Sequence, residues 1–146
     1  AQDGTKYQFH ISDNEGSSSS IFEPSKQFAA QWATTGFSSS IELEAISLST
    51  FIRTQSIDMA SFDILILDTQ GSELLVLEGA KEVLPRFRYI QLEAVNREIY
   101  SGCCKLPEVD AFLSKCGFKQ KGRRVLRRSP KGGREWDVLY QRVEAS

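Results

Sequence analysis

Histidine, methionine and cysteine are scarce in this 146-residue chain, which has one His, one Met and three Cys. His10 stands alone and Cys103, Cys104 and Cys116 form no CxxC spacing, so neither a His/Cys metal centre nor a closed disulfide framework is expected, and no metal site is assigned. The three thiols read as reduced. The vicinal pair Cys103 and Cys104 is expected to be buried or inert rather than redox active. No apolar run approaches the roughly 20 residues that cross a bilayer, and the first residues lack the basic, apolar and small-residue succession of a signal peptide. A soluble, cytoplasmic protein without a membrane partner is the expectation. An excess of one charge is also missing: the formal net charge is -1. That excludes global attraction to nucleic acid or anionic lipid, and any electrostatic targeting must be local.

What is present suits one ordinary domain. The chain is 40% hydrophobic and 25% charged, enough apolar material for a real core. It opens on Ala1-Gln2-Asp3-Gly4, without an initiator methionine, and runs almost at once into a strand, as if cut from something longer. Lys6 to Ser12 alternates Tyr7, Phe9 and Ile11 against Lys6, Gln8 and His10, the period of a strand with one buried face. In that setting His10 is expected to be solvated or satisfied rather than a ligand. Asp13 to Ser20 is a loop of turn formers and serines; for its serine-rich part, residues 16 to 20, a flexible linker is the simplest reading and contact with an acceptor the alternative. Pro24 suits the first turn of a helix reaching about Ala33. Ile41, Leu43 and Ala45 alternate with Glu42, Glu44 and Ile46, predicting a second half-buried strand, and Ser47 or Ser49 is placed to cap a short helix through Arg53.

The centre of the chain follows a different grammar. Phe62 to Leu67 is almost continuously apolar, as expected of a strand covered on both faces in a parallel sheet. It ends in the turn Asp68-Thr69-Gln70-Gly71. Ser72 to Leu84 carries Leu74, Leu75, Leu77 and Val83 at helical spacing, with Glu73 near the positive end of the helix dipole and Pro85 beyond the stop. Tyr89 to Ala94 is the next strand, and Pro107 to Cys116 the next helix, closed by Gly117. Strand, helix, strand, helix predicts a parallel sheet. Phe118 to Arg128 and Glu135 to Val143 are then joined by Ser129-Pro130-Lys131-Gly132-Gly133, the signature of an antiparallel hairpin at the edge.

In open α/β sheets, ligands bind beyond the carboxyl ends of the strands. Asp68 closes one apolar strand and Glu93 lies near the end of the next, so adjacent parallel strands would bring both carboxylates to one rim. Gly71 permits close backbone approach and Gln70 offers an amide. Such a pair of acids can act as general base and polar anchor, or share a divalent cation, so dependence on a metal stays open. The competing reading makes Asp68 a turn cap, Glu93 a solvated strand end, and Glu73 and Glu78 dipole and surface residues. From Lys115 to Arg134 there are nine Lys or Arg and no acidic residue. Phe118 is the sole aromatic interleaved, so the cluster reads as a solvated edge hairpin, and nucleic acid is not expected as a partner.

The run Phe62-Asp63-Ile64-Leu65-Ile66-Leu67-Asp68-Thr69-Gln70-Gly71-Ser72-Glu73-Leu74-Leu75-Val76-Leu77-Glu78-Gly79-Ala80 resembles the signature of the FkbM-type, S-adenosylmethionine-dependent methyltransferases. Agreement continues through Tyr89-Ile90-Gln91-Leu92-Glu93, Glu98 to Cys103, Glu108 to Phe118 and Trp136-Asp137-Val138-Leu139-Tyr140, and Ser17 to Ser20 is similar to that family's serine cluster. The resemblance implies an α/β fold, a partial, Rossmann-like, mostly parallel methyltransferase sheet with a C-terminal antiparallel hairpin. Residues 1–146 would form one domain, the C-terminal part of that fold. It implies catalytic roles for Asp68 and Glu93, acceptor contacts from Gln70, Glu73 and Asn96, and a cofactor contact at Gly71. The family's glycine-rich cofactor loop and the acidic strand end for the ribose do not appear, and Ile21-Phe22-Glu23-Pro24 imitates the latter without its preceding apolar strand. The chain alone is therefore expected to bind S-adenosylmethionine weakly or not at all. Its longer parent would methylate a small hydroxylated, sugar-like acceptor. A homodimer or other partner would cover the sheet edge left bare. The alternative is a non-catalytic binding or assembly module that keeps half of the fold.

Overall fold

A computed structural model describes residues 2–26, 36–129 and 133–143. Two antiparallel strands, β1 (Lys6–Ser12) and β2 (Phe37–Glu44), form a ribbon of their own. The helix α1 (Leu48–Thr54) follows, capped by the Ser47 hydroxyl, which accepts from the Thr50 amide. Then come β3 (Ile64–Leu67), α2 (Glu73–Gly79), β4 (Tyr89–Val95), α3 (Leu106–Lys115), β5 (Phe118–Arg128) and β6 (Arg134–Arg142). Of the helix expected from Pro24 to Ala33, residues 27–33 lie outside the described residues; Pro24 itself forms an isolated β-bridge with Tyr100, and Lys26 is the first helical residue. Residues 130–132 of the expected hairpin turn also lie outside the described residues.

The larger sheet has the order β3-β4-β6-β5. β3 and β4 run parallel, whereas β6 pairs antiparallel with both β4 and β5. The fold is thus mixed α/β, and the expectation of a mostly parallel sheet is corrected: of the three described pairings in the larger sheet one is parallel. The cause is the last pair of strands. The connection from Arg128 to Arg134 is too short for a crossover, so β5 and β6 pair antiparallel, and β6 rather than β5 docks on β4.

Alternation decides which face is buried. Ile90, Leu92 and Ala94 of β4 and Trp136, Val138 and Tyr140 of β6 point to one side, where Leu77 of α2 and Val109 and Leu113 of α3 cover them. Phe118 at the start of β5 closes the same core. Tyr140 is almost wholly buried, and its hydroxyl donates to Asp110 Oδ1 at 2.7 Å, which satisfies the one polar atom it brings inside. Helix α3 starts on Leu106-Pro107, with Glu108 accepting from the Lys105 amide at 2.8 Å, and its end is followed by Gly117 at φ +83°.

Two strands differ from expectation for the same reason. In β3 Leu65 and Leu67 turn toward the core, but Ile64 and Ile66 are 40% and 63% exposed, because β3 is an edge strand and the helices of this core lie on one face only. Nor is β2 half-buried: Ile41 and Leu43 are 45% and 46% exposed, since its single strand partner is β1 and no described helix packs over it. Helix α2 stops at Gly79, short of the expected Leu84, and Leu84–Arg86 form a separate 3-10 turn around Pro85. The His10 ring stacks on Phe37, with centroids 5.0 Å apart, so it is satisfied by packing. Among the described residues no helix is long and apolar enough to cross a membrane.

Candidate functional site

The parallel register sets Leu67 of β3 beside Leu92 of β4. Asp68 and Glu93 each follow by one residue, so both carboxylates emerge at the same end of the sheet. They line one cleft of about 450 Å³, together with Gln70, Gly71 and Glu73. Sequence periodicity alone anticipated that convergence, because two adjacent parallel strands ending in acids must present them to a common rim.

The turn after β3 owes its shape to two left-handed residues in succession, Gln70 at φ +50° and Gly71 at φ +100°. A side chain at position 71 is excluded twice over. Its backbone conformation disfavours an L residue, and a Cβ would lie 2.9 Å from Cys103 Cβ and 3.2 Å from the Tyr100 ring. Gln70 is held from both ends of its amide: Nε2 donates to Asp68 Oδ1 at 2.5 Å, and Oε1 accepts from the Tyr100 hydroxyl at 2.9 Å. The reverse amide orientation would set an oxygen against a carboxylate, so the network fixes which way Gln70 points.

Glu73 is neither a surface residue nor a simple dipole partner. It is buried, and its Oε1 accepts from the Thr69 amide at 3.0 Å, the Gly71 amide at 3.2 Å and the Thr69 hydroxyl at 3.2 Å. Burial pushes its carboxyl upward and these hydrogen bonds oppose the shift. The residue shapes the turn from beneath. Glu78 stays exposed.

Glu93 is the electrostatically unusual group. It is half-buried and faces Asp137 across the β4–β6 pairing. Burial first, then repulsion from Asp68, Asp137, Glu135 and Glu73, raises its carboxyl to about 7. Such a carboxyl exchanges its proton near neutrality, which is what acid–base chemistry on a hydroxyl requires. Burial likewise raises Cys103, and Cys104 to about 11, so the two thiols at the cleft stay protonated at neutral pH and are poor nucleophiles. All three cysteines are free.

Asn96 is not among the residues that line the cleft. It is exposed, its Oδ1 accepts from the Arg134 amide at 2.8 Å, and its own amide donates to Arg134 O at 3.3 Å, so it fastens the start of β6. Conversely, the cleft includes Asn14, Tyr100, Arg127 and Glu135, to which sequence reasoning gave no site role, and Ser17 and Ser18 of the serine loop, for which acceptor contact was the second reading behind a flexible linker. Tyr100 lies in a stretch that carries the family resemblance, and that was its only signal. Glu135 and Arg127 arrive through strand register, beside Val95 and beside each other, and their side chains stand 3.7 Å apart. Among the described residues no group of three or more His, Cys, Asp or Glu is arranged to hold a metal ion.

The sequence model of the methyltransferase FkbM domain matches residues 1–119. Among curated proteins, the 2-O-methyltransferase NoeI of Sinorhizobium fredii (strain NBRC 101917 / NGR234) is 29% identical over 103 residues, covering 66% of this chain and 41% of that protein. The match thus spans less than half the length of that relative. No solved structure matches.

Proposed function

The chain belongs to the FkbM methyltransferase domain family, and on that premise we propose that its cleft receives the hydroxyl of a small, sugar-like acceptor for O-methylation. The observation that carries the reading is the convergence of Asp68 and Glu93 on one cleft at the carboxyl ends of adjacent parallel strands. The relative named as a 2-O-methyltransferase supports oxygen as the accepting atom.

S-adenosylmethionine is the methyl donor that the family implies, and the described residues do not fit it by themselves. Gly71 is the one glycine among the residues that line the cleft, and a single glycine does not make the glycine-rich loop with which that family is expected to grip the cofactor. The residues here account for the acceptor side of the transfer.

On that side Glu93 serves as general base. Its carboxylate takes the acceptor's hydroxyl proton as an oxygen lone pair forms the bond to the methyl carbon, whose bond to the donor sulfur would break with its electron pair left on a neutral thioether, and its value of about 7 matches that task. Asp68, steadied by Gln70, orients the hydroxyl as a hydrogen-bond acceptor. Gln70, pinned to Tyr100, keeps Asp68 from rotating away.

In a protein that carries this chain together with the cofactor-binding part of the family domain, Glu93→Gln should lower turnover about 100-fold or more with cofactor affinity unchanged. The parent's kcat/KM should rise as pH passes about 7, and the variant's residual activity should lack that rise. Turnover at the parental rate by the Gln variant would overturn the assignment.

A further inference from the structure

Opposite the acidic turn, the cleft has a wall of different chemistry. Asn14, Ser17 and Ser18 line it from the loop that follows β1. This segment is not a loose linker, because its own side chains tie it together: Ser12 Oγ donates to Asn14 Oδ1 at 2.6 Å, Asn14 Nδ2 donates to Ser18 Oγ at 2.9 Å, and the Ser12 amide donates to Ser19 Oγ at 3.1 Å. It is also fastened to the acidic turn. Ser20 Oγ donates to Gln70 O at 2.7 Å, and the Tyr100 hydroxyl, 2.9 Å from Gln70 Oε1, lies 3.3 Å from Ser18 O as well. Those bonds use the Ser12 and Ser20 hydroxyls as donors and the Ser18 and Ser19 hydroxyls as acceptors. Ser17 is exposed at the cleft, and its hydroxyl takes part in none of them.

We propose that the Ser12–Ser20 loop is the acceptor-selecting wall of the cleft, preorganised to hydrogen-bond a neutral, hydroxyl-rich molecule through Ser17, with Tyr100 as the positioning residue that locks this wall to the Asp68 turn. The proposal rests on reading the cleft as the acceptor site. A rigid wall loses little freedom when it binds, so one free hydroxyl can discriminate. Neutrality follows from the lining: among the described residues, Asp68, Glu93 and Glu135 face the cleft with one cation, Arg127, whose guanidinium already lies 3.7 Å from Glu135. A phosphate or carboxylate on the acceptor would meet carboxylates without a free counter-charge.

The test is an amide NMR titration of this chain with methyl glucoside, and with glucose phosphate as the charged counterpart. Methyl glucoside should shift the Ser17 and Ser18 amides, and glucose phosphate should bind more weakly. Ser17→Ala should raise the methyl glucoside Kd by about 3- to 10-fold, the worth of one hydrogen bond, without changing Tm. Tyr100→Phe keeps the ring over Gly71 and should raise Kd as well. Combining it with Ser17→Ala should add less than the two separate effects, a coupling that general loosening of the fold would not produce. An unchanged Kd in Ser17→Ala overturns the selecting wall and leaves the role of Glu93 standing. Missing shifts at Ser17 and Ser18, or tighter binding of glucose phosphate, overturn it too. Full methyl transfer by Glu93→Gln is a separate outcome, and it removes the underlying reading of the cleft instead.

Discussion

The β1–β2 ribbon and the four-stranded sheet carry similar alternating sequences and come to opposite ends. In β4 every second residue is buried, whereas β2 keeps Ile41 and Leu43 nearly half exposed. Alternation therefore specifies a strand, and burial is decided by what packs over it. β4 has neighbours on both edges and helices over one face, while β2 has a single partner strand and no described cover.

Truncating one apolar side chain in each sheet region tests this contrast most directly. Leu113→Ala, beneath the larger sheet, should cost about 2–5 kcal/mol in urea unfolding, because Leu113 is wholly enclosed. Leu43→Ala in the ribbon should stay within about 0.5 kcal/mol. Equal losses would mean that the ribbon is covered as completely as the core.

A smaller effect is expected where the larger sheet gives way to the cleft. Gly71→Ala must adopt φ near +100° and crowd Cys103, which should cost about 1–3 kcal/mol. It should also shift the amide resonances of Gln70 and Tyr100 and, through the Ser20–Gln70 hydrogen bond, those of the serine loop, without disturbing those of β2. Spread of the shifts into β2 would contradict its isolation from the larger sheet.

The mildest change concerns charge. Folding raises the Glu93 carboxyl from 4.5 to about 7, so the folded state holds that proton more tightly than the unfolded chain. Stability from this group is greatest below about 4.5 and declines as pH climbs toward 7. Glu93→Gln removes the decline, so Tm of the variant should exceed the parent's above neutrality and approach it in acid. A Tm difference independent of pH would mean that Glu93 is not the group whose proton is held.

Much of the placement of the acids was legible because it follows from period and position. The apolar run ending at Asp68, and the next strand carrying Glu93, predicted adjacent parallel strands and a shared rim. The Ser129 to Gly133 turn signal predicted the hairpin, and Pro107 with Gly117 bracketed α3 almost to the residue. What escaped depends on pairings that no local pattern encodes. Docking of β6 on β4 brings Glu135 and Asp137 beside Glu93. The fold of the serine loop puts Ser18 beside Tyr100 across 82 positions of chain. Glu73 looked like a surface residue because helix starts usually expose their acids, whereas here the loop's own amides draw it inward.

The order β3-β4-β6-β5 has a bearing on biosynthesis. Among the described strands β5 pairs with β6 alone, so translation of β5 leaves it unpaired until the following strand has left the ribosome, and β4 likewise waits for its second neighbour. The sheet cannot close in chain order, and Phe118 and the open edge of β4 wait uncovered until Arg134–Arg142 emerge. A stop codon a few positions before Trp136 would thus release a polypeptide lacking the central strand, a better substrate for chaperones and proteases than for folding.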